Sequence, residues 1–368
     1  MKLWKTWLAV VVLLGLPMCI IHQFSIEFSL RRYMNIFNRT AAAGAVPSHP
    51  MPLDIVSILL PANRTTNTTQ LNGTTMTQSG HVVPVLKVPD VSELCSNPRV
   101  NDELAAMYST FEWKSAPQLP RTLSKENAQQ MRAFLIAIKD MFCALGISWS
   151  LFYGSLLGAY ITHDCLPWDD DLDIIIQKDA IDLLAKMHKD GSLPKKYNIG
   201  YVLTSGLHKL YWAPGKKIKP YSWAWPFVDL MPYQETEKNI QNIDRNKGHR
   251  FDVPKSLALP FVMRPFGPLW LPAPRDSWKM MGVTYKEMKQ FLCKAPGYDH
   301  VNERRRKDGK STDCKNLHFQ YRFVHREKSA EGGVLETLHL GDEPLYSVHY
   351  NEPLYPNTNP YKWLMAKS

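Results

Sequence analysis

The sequence has no C-x2-C pair and no H-x3-H pair among its 6 cysteines and 12 histidines. The ligand spacing of a zinc finger or ribbon is therefore missing, and a zinc site is disfavoured. Cysteine itself is sparse. Cys19 falls in an apolar N-terminal run, which leaves Cys95, Cys143, Cys165, Cys293 and Cys314. This is an odd set, so at least one thiol stays free or pairs between chains. Cys293 and Cys314 flank a basic loop and are the preferred disulfide. Cys143 sits in an expected helix and reads as a buried apolar residue. No small-x-small cleavage site directly follows the N-terminal apolar run, which favours a retained signal anchor over a cleaved signal peptide.

What is present first sets a compartment. With 368 residues and 45% hydrophobic content, the chain is long enough for one large domain and an accessory segment. Trp7 to Ile21 is apolar, interrupted only by Gly15 and Pro17 and preceded by Lys2 and Lys5. Counting Trp4 and Thr6, it reaches about 18 residues, the lower edge of what spans a bilayer. Lys2 and Lys5 favour a cytosolic N-terminus, although Arg31 and Arg32 beyond the run reduce the asymmetry. From Asn38 to about Lys87 the chain is rich in Thr, Asn, Pro and Ala, the composition of a disordered linker. The sequons at Asn38, Asn63, Asn67 and Asn72 all fall in this stretch, which argues for a luminal, glycosylated stem. The expected plan is a tail and signal anchor (1–37), a glycosylated stem (38–93), an accessory segment (94–123), a catalytic domain (124–350) and a C-terminal tail (351–368). This is the organisation of a single-pass type II enzyme of the Golgi or endoplasmic reticulum membrane, with its catalytic domain in the lumen.

The segment Tyr153 to Ile176 carries the chemistry. Asp169, Asp170, Asp171 and Asp173 lie within five positions, at the mouth of the β-branched run Leu172 to Ile176. Held together, these carboxylates repel unless a cation sits among them. In extended chain Asp169, Asp171 and Asp173 share one side, and such a convergence of hard oxygen ligands suits Mg2+ or Mn2+. Pro167-Trp168 stiffens the approach. Upstream, Gly154-Ser155 ends the apolar run Ile147 to Tyr153, and its amides could face an anion at a helix start. Downstream, Asp229 is the lone acid in the apolar run Phe227 to Met231, a costly position unless it is paired or metal-bound.

These residues resemble the LicD family, which includes fukutin and fukutin-related protein. The pattern G-S-L-L-G, spacer, P-W-D-x-D-x-D appears here as Gly154-Ser155-Leu156-Leu157-Gly158 followed by Pro167-Trp168-Asp169-Asp170-Asp171-Leu172-Asp173. The resemblance covers roughly residues 120 to 345. It implies an α+β fold of the nucleotidyltransferase, DNA polymerase beta type: a mixed sheet with packed helices, here preceded by the transmembrane anchor and disordered stem. In that fold a Gly-Ser turn precedes two strand carboxylates and a third acid sits on a later strand, for which Asp229 is the match. It also implies transfer of a phosphorylated alcohol, such as phosphocholine or ribitol phosphate, from a CDP-linked donor to the hydroxyl of a glycan or glycoprotein. The zinc-finger-like Cys/His cluster of fukutin-related protein has no counterpart here.

The expected order within the domain is a helix capped by Ser124, a strand over 147–153, a short helix over 156–161, a strand over 172–177 and a helix over 179–188. Strands follow near 199–203, 207–212 and 225–231. Helices should pack mainly on one side of a central sheet, with the Gly-Ser turn and the aspartates at one edge. Beyond residue 240, Pro-rich and aromatic segments such as Pro265 to Pro274 read as loops over the site. Asp171, Asp173 and Asp229 are the catalytic metal ligands, joined by Asp169, and Gly154 and Ser155 hold the donor phosphates. Lys209, Arg264 and Arg275 stand in apolar or Pro-rich contexts and either neutralise a donor diphosphate or are plain surface charges. His163 either contacts phosphate or is structural. Net charge is +10, and its densest run, Arg304 to Lys310, faces solvent or an anionic glycan; nucleic acid is not an expected partner for a luminal chain. Two other functions share these features: a D-x-D glycosyltransferase using a UDP-sugar, and a non-catalytic luminal glycan-binding scaffold.

Overall fold

A computed structural model describes residues 74–76, 82–243, 251–285, 291–307 and 309–362. The expected anchor and the four acceptor asparagines lie outside these residues. Among the described residues no helix is long and apolar enough to cross a membrane. The chain enters through strands β1 (Thr74–Met76) and β2 (Val82–Leu86) and short helices α1 (Glu93–Ser96) and α2 (Asp102–Ser109). Helix α3 (Lys125–Leu145) starts where the Asn127 amide donates to Ser124 Oγ and stops at Gly146, whose φ of 67° is open to glycine. Met131, Phe134, Leu135, Ile138 and Phe142 form its buried face, as their helical spacing requires.

Strand β3 (Trp149–Leu151), helix α4 (Tyr153–Thr162), strand β4 (Leu172–Gln177) and helices α5 (Lys178–Lys189) and α6 (Ser192–Tyr197) follow. Strands β5 (Ile199–Thr204), β6 (Leu207–Lys217) and β7 (Ala224–Glu235) complete the central elements, so the expected order holds within a few residues. They form a mixed sheet, ordered β3-β4-β7-β6-β5. The β4–β7 pair is parallel, while β3–β4, β5–β6 and β6–β7 are antiparallel. Strands β8 (Asn239–Asn242) and β9 (Asp252–Pro254) extend it from β7. Ile174, Ile175 and Ile176 are all buried, so β4 is covered on both faces.

The region beyond residue 240 departs from the expected loops. After α7 (Lys255–Ala258), the Pro-rich segment forms the hairpin β10 (Val262–Phe266) and β11 (Leu269–Ala273). Pro265 lies opposite Trp270, and the turn passes through Gly267 at φ 62°. The hairpin is buried, because its alternating aromatic and aliphatic residues pack as strands in spite of the prolines. Helix α8 (Ser277–Thr284) leads to the short strands β12 (Cys293–Lys294), β13 (Tyr298–Asp299), β14 (Arg304–Arg305) and β15 (Ser311–Thr312), which pair as β12–β15 and β13–β14.

A second sheet, ordered β1-β2-β18-β17-β16, comes from β16 (Arg322–Lys328), β17 (Val334–Leu340) and β18 (Glu343–Tyr350), joined by the two N-terminal strands. Val82–Leu86 therefore belongs to the folded unit although it falls in the stretch read as stem. Helix α4 packs against both β4 and β16 and so links the two sheets. Cys293 and Cys314 are bonded as expected. Cys143 is not a plain core residue: it is bonded to Cys95, with the two Cα atoms 5.3 Å apart. Its helix α3 packs against α1, a pairing that sequence periodicity does not reveal. Cys165 is free.

Candidate active site and metal centre

The carboxylates meet between the neighbouring interior strands β4 and β7, where Asp169–Asp171 enter β4. Parallel register places Asp173 directly beside Asp229, and antiparallel register places Lys209 of β6 beside Asp229 on its other flank. Three adjacent strands thus present Asp173, Asp229 and Lys209 in one row. Lys209 Nζ is 2.6 Å from Asp229 Oδ1, and lies 3.9 Å from the centre of the Phe227 ring. Oxygens of Asp171, Asp173 and Asp229 come within 4.8 Å of one another, close enough to hold one metal ion.

The electrostatics agree with that geometry. Burial, then the charges of Asp171 and Asp170, raises the Asp169 carboxyl well above the ordinary range. Burial, then Asp171 and Asp229, does the same to Asp173. Asp229 is raised by burial and by Asp171, with Lys209 opposing. Among the described residues negative charge is under-compensated here, and a divalent cation would relieve it. The residues present therefore fit Mg2+ or Mn2+: oxygen donors, close convergence, and carboxylates that resist ionising beside one another.

Gly154 and Ser155, expected to hold phosphate, serve the aspartates. The Gly154 amide donates to Asp173 Oδ2 at 3.1 Å, and the Asp173 amide donates to Ser155 Oγ at 2.9 Å. A Cβ at position 154 would meet Asp169 Oδ2 at 2.6 Å and Asp173 Oδ2 at 3.3 Å. The turn thus positions two carboxylates, and glycine is there because they come so close. Beside Asp169 a small pocket is lined by Trp113, Arg121, Arg132 and Cys165 among others.

The remaining sequence candidates separate from this group. His163 ends α4, where its ring nitrogens lie 3.0 Å from Glu336 Oε2 and 3.0 Å from the Tyr346 hydroxyl. Burial lowers its pKa, so Nε2–H donates to Glu336 while the Tyr346 hydroxyl donates to Nδ1. Arg264 is fully buried, with Nη1 2.8 Å from Glu336 Oε1 and Nη2 bridging both oxygens of Glu352 at 2.7 and 2.8 Å. Arg326 Nε donates to the same Glu336 Oε1 at 2.8 Å. The donors of His163 and Arg264 are spent inside the protein, so neither is kept as a donor-phosphate ligand. Arg275 is exposed on the turn after β11, where its amide donates to the Ala258 carbonyl.

Residues missed in the sequence also converge here. Asp170 is completely buried and faces away from its neighbours, toward His300 and Arg306. Arg306 Nη2 donates to Asp170 Oδ2 at 2.8 Å, and His300 Nδ1 lies 2.8 Å from Asp170 Oδ1. His300 Nε2 is 3.3 Å from Asp171 Oδ2. Burial opposes a charge on His300, but Asp171 and Asp170 overcome it and push its pKa up to about 10. One signal was available in the sequence: alternation puts Asp170 on the opposite side from Asp169 and Asp171, so it needed a cation of its own.

Compared with known families, residues 146–276 match LicD/FKTN/FKRP, nucleotidyltransferase domain. None of the curated proteins compared matches the chain. The matched range holds every carboxylate of the row, whereas His300, Arg306 and the second sheet's β16–β18 lie beyond it. Such a domain implies an enzyme of phospho-group transfer that takes a nucleotide-linked donor and a glycan acceptor.

Proposed function

We propose, from the premise that residues 146–276 are a LicD-type nucleotidyltransferase domain, that the protein moves a phospho-alcohol from a CDP-linked donor to a glycan hydroxyl. The observation that carries this reading is the convergence of Asp171, Asp173 and Asp229 from two parallel strands within 4.8 Å. Asp171 and Asp173 would hold Mg2+ or Mn2+, with Asp229 completing the set and Asp169 beside them. When bound, the cation supplies charge neutralisation to the donor diphosphate and to the departing CMP. The acceptor oxygen attacks the phosphorus that carries the alcohol, the bond to the CMP oxygen breaks, and the hydroxyl proton is released.

Little covalent work falls to the protein in such a transfer; positioning and charge stabilisation carry the rate. Lys209 fixes the Asp229 carboxylate, Gly154 and Ser155 fix Asp173, and the absence of a side chain at Gly154 leaves Asp169 its place. The N-terminal apolar run, the sequons after it and two disulfides support our reading of a luminal site on a type II membrane protein of the Golgi or endoplasmic reticulum, because disulfides persist in an oxidising compartment.

The test is nucleotide release by the full chain, offered CDP-choline, CDP-ribitol, CDP-glycerol or UDP-sugars with Mg2+ or Mn2+. Its control is the Asp171→Ala/Asp173→Ala double variant. CMP released by wild type alone is expected, with a loss of about 10³-fold or more in the variant, as removal of several kcal/mol of metal stabilisation requires. UDP release would move the protein to the glycosyltransferases. Silence with every donor from a folded sample that binds no metal would leave a glycan-binding scaffold.

A further inference from the structure

An element beyond the matched domain reaches back into the carboxylates. Hairpin β13–β14 pairs Tyr298 with Arg305 and Asp299 with Arg304, and its turn carries His300. The imidazole is held on several sides. Its Nδ1 is 2.8 Å from Asp170 Oδ1, and the His300 backbone amide donates to Asp170 Oδ2 at 3.1 Å. The ring centres of Tyr298 and Phe227 lie 5.1 and 6.0 Å away. Asp170 in turn is buried and fastened by Arg306, whose Nη1 donates to Thr122 Oγ1 at 2.9 Å.

This chain of bonds decides what the ring can do. Both Asp170 oxygens are taken by donors, so Asp170 is a poor candidate for a direct cation ligand, although its oxygen lies within 4.8 Å of the donor atoms of Asp171 and His300. As a carboxylate it accepts a hydrogen bond from Nδ1–H and turns Nε2 toward Asp171, 3.3 Å from Oδ2. A histidine that ligates a metal through one nitrogen commonly gives its other N–H to a carboxylate in this way, which sets tautomer and ring orientation. Asp171 belongs both to this group and to the row with Asp173 and Asp229.

We propose that His300 supplies a nitrogen ligand to the cation held by Asp171, with Asp170 as its positioning residue, and that this arm tilts the centre toward Mn2+ over Mg2+. The inference rests on the reading of Asp171, Asp173 and Asp229 as a divalent-cation centre. Mg2+ favours an all-oxygen shell with near-ideal octahedral geometry, whereas imidazole nitrogen suits the transition metals. The hairpin thereby ties metal choice to a part of the chain outside the nucleotidyltransferase domain.

The experiment is Mn2+ binding to the full chain, read by pulsed electron paramagnetic resonance and by competition with Mg2+. Wild type should show the nitrogen coupling of a directly bound imidazole, which changes isotope signature when histidine is labelled with 15N. His300→Ala should lose that coupling and about 10- to 100-fold in Mn2+ affinity, with a smaller loss for Mg2+. Asp170→Asn should weaken Mn2+ binding by about 10-fold, the size typical of a lost outer partner. Bound Mn2+ without nitrogen coupling in wild type overturns the histidine arm while leaving the carboxylate centre intact, and this needs no variant to fold. Asp173→Asn separates the two readings, because it removes a carboxylate of the row and spares His300 and Asp170. Failure of folded wild type to bind Mn2+ overturns the arm and the centre together.

Discussion

Two buried charge clusters in this protein are built on opposite principles. Around Glu336, two carboxylates, Glu336 and Glu352, meet two guanidiniums, Arg264 and Arg326, and a neutral His163. Burial alone would raise the Glu336 carboxyl, but Arg264 and then Arg326 overcome it and hold Glu336 far below the usual range. Around Asp171 the balance is reversed. Among the described residues, Lys209 is paired with Asp229 and His300 with Asp171, and the carboxyls of Asp169 and Asp173 are driven upward. The first cluster is complete within the protein and joins β10, β16, β17 and the end of α4. Among the described residues the second is short of positive charge, as the proposed cation site requires.

The largest effect expected from this contrast is on stability. Glu336→Gln keeps the shape but leaves two buried guanidiniums short of a partner, and should cost about 3–5 kcal/mol. Asp173→Asn in metal-free protein should cost little or even stabilise, since it removes a repulsive charge. Urea denaturation of the two variants without metal checks this, and equal losses would erase the distinction between the clusters. A smaller effect belongs to the turn. In Gly154→Ala the new Cβ pushes on Asp169 Oδ2, the mobile end of a side chain, so stability should hardly change. Displacement of that carboxylate should lower turnover about 10- to 100-fold. Unchanged turnover would mean that Asp169 has no part in the chemistry.

Smallest, and opposite in sign for the two clusters, is the dependence on pH. Glu336 has a depressed folded pKa, so its contribution is present above its ordinary value of 4.5 and is lost as pH falls below it. Asp169 and Asp173 have raised folded values, so in metal-free protein their contribution is present below the ordinary 3.8 and is lost as pH rises through the raised values. Bound cation requires the ionised carboxylates and reverses the second term. Added Mn2+ should therefore raise the melting temperature more at pH 8 than at pH 5. Thermal scans with and without Mn2+ read this directly, and a metal effect that grows toward acid would contradict it.

Much of the central sheet could be read from the chain because its signals are local. Ser124 and Gly146 bound α3, the β-branched run marks β4, and the lone acid among apolar residues marks Asp229. The acid row followed from the same kind of evidence, since alternation alone sorts Asp169, Asp171 and Asp173 onto one side. The second sheet was not legible. Its strands come from both ends of the folded unit, with β18 pairing β2 across more than two hundred residues, as in Ser347 beside Val85. The His163, Arg264 and Glu336 cluster was missed for the same reason: each residue looks like an isolated charge until the sheets are stacked.

By itself the sequence determined which groups make up the candidate site: the motif from Gly154 to Asp173, the later Asp229, and the apolar strands that bring carboxylates to the mouth of a core. Periodicity and turn chemistry act over a few residues, so they survive in one dimension. The tertiary structure decided which charges serve the site and which serve the scaffold. It turned the Gly-Ser amide and hydroxyl toward Asp173, sent His163 and Arg264 into a closed ion cluster, and brought His300 from 130 positions away onto Asp170. Those assignments depend on which side chains can neutralise one another at about 3 Å in a buried setting, and only the folded chain fixes that distance.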